Sequence, residues 1–164
     1  MQLTLTVATI MSHHYLIGST PIGVAFIGRA DGPDNEWQDF LPAATAQVVP
    51  TANQAAIRVL TAYLTGKLTT FNCPLDFSHG TPFQQQVWQT LRTIPYGQTW
   101  SYTQLAHDLN RPTAVRAIAS AVGRNPLLIL IPCHRVIRQD GQLGGYRGGL
   151  PMKHALLALE KRQS

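Results

Sequence analysis

Asn125-Pro126-Leu127-Leu128-Ile129-Leu130-Ile131-Pro132-Cys133-His134-Arg135-Val136-Ile137 is the stretch on which the reading of this chain turns. The apolar run Leu127 to Ile131 has strand length, and fits either a buried strand or an extended segment beneath helices. Pro132 lacks a backbone donor and stops any ladder just before Cys133. The thiol is therefore expected where a buried strand ends, and rigid element ends are where reactive side chains are often mounted. His134 follows at once, with Arg135 next in line.

Working backwards, Thr81-Pro82-Phe83-Gln84 places an N-cap, a proline at the first helical position and a glutamine at the third. Phe83, Val87, Trp88 and Leu91 give the ensuing helix one apolar face, and Pro95-Tyr96-Gly97 closes it. Ser101-Tyr102-Thr103-Gln104 repeats the capping pattern before Leu105, Ala106 and Leu109. Asn110-Arg111-Pro112 interrupts, and a further helix is expected from Pro112 to Val122, stopped by Gly123. Two short capped helices around a tight turn suggest a helix-turn-helix. Downstream, Asp140-Gly141 and Gly144 to Gly149 suggest a hairpin or wing. A last helix, Pro151 to Lys161, is expected to turn Met152, Ala155, Leu156 and Leu159 inward.

The first half is quieter. Leu3, Leu5 and Val7 alternate with polar residues, as in a half-buried strand. Tyr15 to Ile17 and Ile22 to Ile27 suggest two more strands around a turn at Ser19-Thr20-Pro21. Asp31 to Pro50 reads mostly as loop. Thr51-Ala52-Asn53-Gln54 resembles a capping box for a helix with Ile57, Leu60, Tyr63 and Leu64 on one face, ending at Gly66. Phe71 to Gly80 reads as the linker, so the expected domains are 1–78 and 79–164.

The chain has 164 residues, 45% of them hydrophobic, which suffices for one core or two small ones. Only 13% are charged, yet the net charge is +5, which favours an anionic partner, nucleic acid first. Two cysteines are too few for the disulfide framework of a small secreted domain. Residues 1–10 lack a basic region and long apolar core, and no stretch reaches membrane-span length. A cytoplasmic protein with reduced thiols is expected, without contact to a membrane.

Cys133 becomes a nucleophile only as thiolate, which needs a base or positive charge nearby. His134 is adjacent, and Glu160 on the last helix could orient it in a Cys–His–Glu relay. The same residues also fit a small core thiol, a satisfied histidine and a solvated helix end. The second helix of the pair carries Ala114, Ala117, Ala119, Ser120 and Ala121, with Arg111, Arg116 and Arg124 nearby. It has few long polar side chains for reading bases, so DNA would be bound through phosphates and shape. An isolated arginine on such a helix could fill the gap left by an extruded base; a phosphate contact would use it as well. Small residues also suit plain helix packing. His13-His14 and Cys133-His134 have no convincing metal-ligand spacing.

These residues converge on one family. Pro132-Cys133-His134-Arg135-Val136 resembles the active-site signature of the O6-alkylguanine-DNA alkyltransferases, also called methylated-DNA–protein-cysteine methyltransferases. The likeness extends from Phe83 to Glu160 through Ile94-Pro95-Tyr96-Gly97, Ser101-Tyr102, Arg116-Ala117, Gly123 to Pro126, Gly145-Tyr146, Gly148-Gly149 and Lys153. In the first half it rests on Ser19 to Gly23 and the helix ending at Gly66.

The resemblance implies an α/β protein: a small sheet-plus-helix domain of ribonuclease-H-like arrangement, then a mostly helical, winged-helix-like domain for DNA binding and chemistry. It implies single-turnover transfer of an alkyl group from guanine O6, or less readily thymine O4, to Cys133. His134 would draw off the thiol proton through a water, supported by Glu160, and Asn125 would hold the turn. Tyr102 would donate toward the leaving purine, and Arg116 would replace the flipped base. Ser101, Tyr102, Ala114, Ala117, Arg124 and Arg135 would join Arg116 against DNA. The pocket would use Tyr102, Cys133, Val136, Tyr146, Arg147 and Gly148, with carbonyls of Cys133 and Val136 and the N–H of Arg147 reading the guanine edge. Relatives include forms with a small residue at the position of Arg147. No cofactor or metal is implied. The partner would be alkylated duplex DNA, gripped in the minor groove with little sequence preference by a monomer able to cluster. A stand-alone bacterial repair protein fits best. The rivals are a non-catalytic lesion sensor, a cysteine hydrolase and a winged-helix regulator.

Overall fold

A computed structural model describes residues 1–163. The chain forms two compact units: Met1–His79 with Pro126–Leu128, and Gly80–Asn125 with the chain from Ile129 onward. Pro126–Leu128, assigned from sequence to the second domain, thus groups with the first. The reason is local: Ile27 N–H donates to Pro126 O at 2.9 Å, and Leu127 bridges Ile27.

In the first unit β1 (Gln2–Ile10), β2 (His13–Ser19), β3 (Val24–Ile27) and β4 (Thr45–Val48) form one sheet in the order β3-β2-β1-β4. β1 pairs antiparallel with β2 and parallel with β4. The Asp31–Pro50 stretch is mostly loop, as expected, but not wholly. It holds a 3-10 turn at Glu36–Asp39 and an edge strand, both hidden from a periodicity reading because β4 is exposed on every residue. Trp37 and Leu41 pack with Leu3, Leu5, Leu16, Ala25 and Phe26. Val7 shares the strand phase of Leu3 and Leu5 but is 46% exposed, whereas Thr6 is buried and donates to Val49 O at 2.8 Å. β1 is thus covered on both faces at its centre, and simple alternation fails there.

α1 (Gln54–Leu64) buries Ala56, Leu60 and Tyr63, each large apolar side chain contributing about 1.5–3 kcal/mol. Its start is not a capping box. Asn53 is the N-cap, left-handed at φ 61°, and its amide donates into the sheet, to Thr4 O, Thr6 Oγ1 and Ile17 O. Nor is Phe71 to Gly80 a free linker. Leu75 bridges Val24, and Asp76 accepts from Thr20 Oγ1 at 2.5 Å and Ser78 Oγ at 2.6 Å.

In the second unit α2 (Pro82–Leu91) carries the reciprocal Thr81–Gln84 capping box. Trp88, 1% exposed, ties it to α4 (Val115–Gly123) by donating Nε1–H to Ala121 O at 2.8 Å. Gly80 is required here, since a Cβ would lie 2.3 Å from the Trp88 ring. β5 (Trp100–Ser101) leads into α3 (Tyr102–Asp108), capped by Ser101 Oγ accepting from Gln104 N–H at 3.0 Å. α3 ends at left-handed Asn110 (φ 56°), and α4 starts three residues later than expected because 112–114 form a turn.

Leu127 to Ile131 is neither a strand nor extended. Only Leu127 bridges, Ile129 is left-handed at φ 71°, and the segment folds as a fully buried turn. Cys133 accordingly opens a 3-10 turn, Cys133–Arg135, rather than following a strand. β6 (Val136–Ile137) then pairs parallel with β5. Residues 138–149 form a loop with turns and no hairpin. α5 (Leu150–Gln163) buries Lys153, Leu156, Leu159 and Glu160; Ala155, expected inward, is exposed. Among the described residues no helix is long and apolar enough to cross a membrane.

Candidate active site

The site is built where the 3-10 turn meets α5. Glu160, 1% exposed, gathers four donors: His134 Nε2–H at 2.6 Å, Arg135 Nε–H at 2.8 Å and Nη2–H at 3.0 Å, and Gly97 N–H at 3.2 Å. Arg135 spends Nη1–H on Ile94 O at 2.7 Å. A bidentate guanidinium–carboxylate pair with further hydrogen bonds is the arrangement in which two buried charges tolerate loss of water. Burial holds the His134 pKa below its usual value. Glu160 opposes that shift and the Arg135 charge adds to it. The imidazole is thus neutral at pH 7 and can accept a proton.

This corrects the placing of Arg135 against DNA. It is 4% exposed and committed to Glu160, so it belongs to the interior.

Cys133 is 6% exposed, and burial raises its pKa. A side-chain hydrogen bond from Asn125 and the positive charges of Arg147 and Lys153 pull the other way. Asn125, 1% exposed, also donates Nδ2–H to Ile131 O at 2.9 Å and so closes the turn that delivers the thiol. At rest the sulfur is a thiol, with groups beside it that ease ionisation.

The thiol lies in the wall of a cavity of about 220 Å³. Tyr102 of α3, Ala119, Val122 and Gly123 of α4, and Gly145–Arg147 complete the lining. Burial raises the Tyr102 pKa, and the nearby Cys133 raises it further, so its hydroxyl stays a donor. Arg147 folds its Nε–H onto Asn125 O at 3.2 Å. Two expected pocket residues do not line the cavity. Val136 is fully buried, its carbonyl accepting from Lys153 Nζ at 2.7 Å. Gly148 sits against Met152 and Tyr146, where a Cβ would come within 2.6 Å of both.

α4 joins this cavity to the surface. Arg116, Ala117, Ser120, Gly123 and Arg124 are exposed, Ala114 is half-buried, and nothing lies within 4 Å of where a Gly123 Cβ would be. A nearly smooth helix face therefore runs beside the cavity mouth. Ser101 is half-buried, its oxygen accepting as the α3 cap.

Sequence reasoning missed the role of Lys153. It is fully buried and donates to the carbonyls of Val136, Leu143 and Gly145, the last at 3.3 Å. These clamp the cavity-lining loop to α5. Burial lowers its pKa to about 8, against the raising effect of Cys133. The signal was available: Lys153, Leu156 and Glu160 lie at i, i+3 and i+7 on one helix stripe. No group of three or more His, Cys, Asp or Glu among the described residues could hold a metal ion.

Comparison with known proteins places this geometry. The family described as "6-O-methylguanine DNA methyltransferase, DNA binding domain" matches residues 82–162. The inducible methylated-DNA–protein-cysteine methyltransferase of Bacillus subtilis is 44% identical over 156 residues, spanning 92% of this chain and 86% of the relative. That of Mycolicibacterium paratuberculosis is 50% identical over 115 residues, spanning 70% and 69%. The crystal structure of Mycobacterium tuberculosis OGT in complex with DNA matches with a TM-score of 0.82 at 36% identity, covering all of this chain and 95% of that one.

Proposed function

Because this chain belongs to the methylated-DNA–protein-cysteine methyltransferase family of alkyl-transfer DNA repair enzymes, we propose that it moves the alkyl group of O6-alkylguanine, and more slowly of O4-alkylthymine, irreversibly onto Cys133. The observation that carries this reading is the Cys133 thiol in a cavity wall, backed by a neutral buried imidazole and opening beside the α4 face.

The lesion base is flipped into the cavity, and Arg116, exposed on α4, fills the gap in the stack. His134 draws the proton from the thiol through one water, and Glu160 holds the imidazole that receives it. The thiolate attacks the alkyl carbon, the carbon–O6 bond breaks, and its electron pair passes to the purine. Tyr102 donates to the purine as negative charge builds there, which lowers the barrier selectively in the transition state. The thioether has no route back to thiol, so each molecule acts once.

The duplex is held in the minor groove with little sequence preference. Support comes from the small side chains of α4, the flanking Arg116 and Arg124, and the net charge of +5. Binding through phosphates makes affinity fall steeply with salt. The protein acts as a cytoplasmic monomer that can cluster on DNA.

Intact-mass measurement after incubation with a duplex holding one O6-methylguanine tests this directly. The expected result is one added methyl group, mapped to Cys133 and saturating at one per protein. No added mass, with or without binding, would end the transferase reading.

A further inference from the structure

Of the three lysines, Lys67 and Lys161 are exposed and Lys153 is fully buried. We propose that protonated Lys153 is a positioning residue for alkyl transfer: its ammonium ties down the loop that lines the cavity and is the counter-charge for the Cys133 thiolate formed during the reaction. The proposal rests on the transferase reading above and adds how that site is controlled.

Geometry carries the first half. An ammonium has three N–H donors, and Lys153 Nζ has three carbonyl acceptors: Val136 O at 2.7 Å, Leu143 O, and Gly145 O at 3.3 Å. Val136 follows the 3-10 turn that begins at Cys133, and Gly145 lies in the cavity wall with Tyr146 and Arg147. One side chain of α5 therefore joins the segment after the thiol to the cavity loop. A neutral amine has only two N–H donors. Loss of the proton thus releases one carbonyl, and the long Gly145 contact is the first to go.

Charge carries the second half. A buried ammonium is costly unless an opposite charge stands near it. The opposite charge that favours protonated Lys153 is that of Cys133. In return Lys153, like Arg147, favours the thiolate. Cys133 is a thiol at rest, so the ammonium gains this counter-charge only as the sulfur ionises. An interaction made on the way to the transition state, and absent before it, is the kind that accelerates a reaction. In the step itself the thiol proton leaves through His134, the sulfur–carbon bond forms and the carbon–O6 bond breaks. The purine takes the electron pair and regains a proton, and Lys153 keeps its own.

The neighbouring groups make the pH dependence specific. Ionisation of Cys133 raises the rate as pH rises, and so does proton loss from His134 on the acid side. Lys153 also disfavours a protonated His134, less than burial and Arg135 do. Tyr102 stays protonated, because burial and Cys133 hold its pKa above the usual tyrosine value. The Arg147 guanidinium does not titrate. Arg135 and Glu160 pair with each other in the interior, and Arg138 and Asp140 pair with each other in solvent. Among these groups Lys153 is the one whose proton loss, at about 8, opposes transfer.

Single-turnover methyl transfer by the full chain tests this, read by intact mass across pH with protein saturating over an O6-methylguanine duplex. Saturation removes DNA affinity from the comparison. The wild-type rate is expected to rise on the acid side and to fall as pH passes about 8. Lys153→Arg keeps the charge, so it should lose the alkaline fall while holding part of the rate. Lys153→Gln keeps two donors without the charge. Its rate at neutral pH should drop at least about tenfold, with no alkaline fall. A wild-type rate that stays level or climbs above about 8 overturns the proposal, and that outcome needs no variant to fold. An alkaline fall that persists unchanged in Lys153→Arg also overturns it. So do equal losses in both variants at every pH, which would make Lys153 a packing residue only. Absence of methyl transfer by wild type at any pH would instead overturn the transferase reading, and this proposal with it.

Discussion

Two carboxylate–histidine pairs in this protein have the same length and opposite surroundings. His13 Nδ1 and Asp31 Oδ2 are 2.6 Å apart, as are His134 Nε2 and Glu160 Oε2. The first pair is more than half exposed on each side, at 55% and 51%; the second is 0% and 1% exposed. Asp31 is further held by the backbone N–H of His14, the main reason its pKa is lowered. Glu160 needs a guanidinium and a backbone N–H besides its histidine. Water solvates the first pair for nothing, whereas protein groups must replace water around the second. That is why only the second can fix a protonation state on which chemistry depends.

The largest effect follows from removing the buried carboxylate's charge. Glu160→Gln leaves Arg135 as a buried cation without a counter-charge, and breaking such a pair costs about 3–5 kcal/mol. Denaturant unfolding should show that loss, and alkyl transfer should fall with it. A stability change no larger than that of an exposed pair would erase the contrast between the two sites.

Removing the other partner is expected to cost less, because His134 can answer. In Arg135→Met, Glu160 keeps its charge, and the positive charge that helps hold the His134 pKa down is gone. The histidine takes up a proton more readily and shields the carboxylate. A loss of about 2–3 kcal/mol is expected. The pH dependence gives the sharper signature. In wild type the unfolded chain binds a proton below about 6.5, where the folded histidine resists it, so stability falls as pH drops through that region. In Arg135→Met that slope should flatten, and the acid limb of the transfer rate should move to higher pH.

A third test uses Cys133 and Lys153, which are shifted in opposite directions. Lys153 releases its proton near about 8 when folded and about 10.5 when unfolded. Between those values the unfolded chain binds more protons, so Lys153 makes stability rise with pH. Cys133 has a raised pKa, so its contribution is present at low pH and lost as pH climbs past the unfolded thiol value of about 8.5. The two slopes oppose each other in wild type. Cys133→Ser should unmask the rise, and Lys153→Met should unmask the fall. Parallel pH–stability curves for all three proteins would show that neither group titrates as its burial requires.

How much of this was legible follows from what local pattern can encode. The helices of the second unit announced themselves because Thr81, Pro82, Gln84 and Ser101 act within one turn. Cys133, His134, Asn125 and Glu160 were legible as a set, and the structure brings them to one interior. Arg135 was placed against DNA as part of what the resemblance implies, and nothing in its neighbours says that Glu160 and Ile94 will enclose it. The helical spacing of Lys153 marked it as inward-facing, but its partners are carbonyls, which carry no side-chain signature, so its role stayed hidden. β4 and the turn at 127–131 are set by tertiary contacts: one strand is wholly exposed, and the other segment is apolar throughout, so neither shows a period.

The smallest effect belongs to the exposed pair. Asp31→Asn removes the charge that His13 meets but keeps an oxygen able to accept from the His14 N–H. Asp31 is also left-handed at φ 57°, a conformation asparagine tolerates at least as well. Solvent screens what remains of the ion pair, and salt screens it further. The melting temperatures of wild type and Asp31→Asn at neutral pH should therefore coincide, at both low and high ionic strength. The depressed Asp31 pKa makes its contribution present above the usual carboxylate range and lost as pH falls through the folded value, so whatever small difference remains belongs to neutral pH and should vanish on the acid side. A salt-sensitive drop at neutral pH approaching that of Arg135→Met would mean that the 2.6 Å contact itself, and not its burial, sets the strength of these pairs.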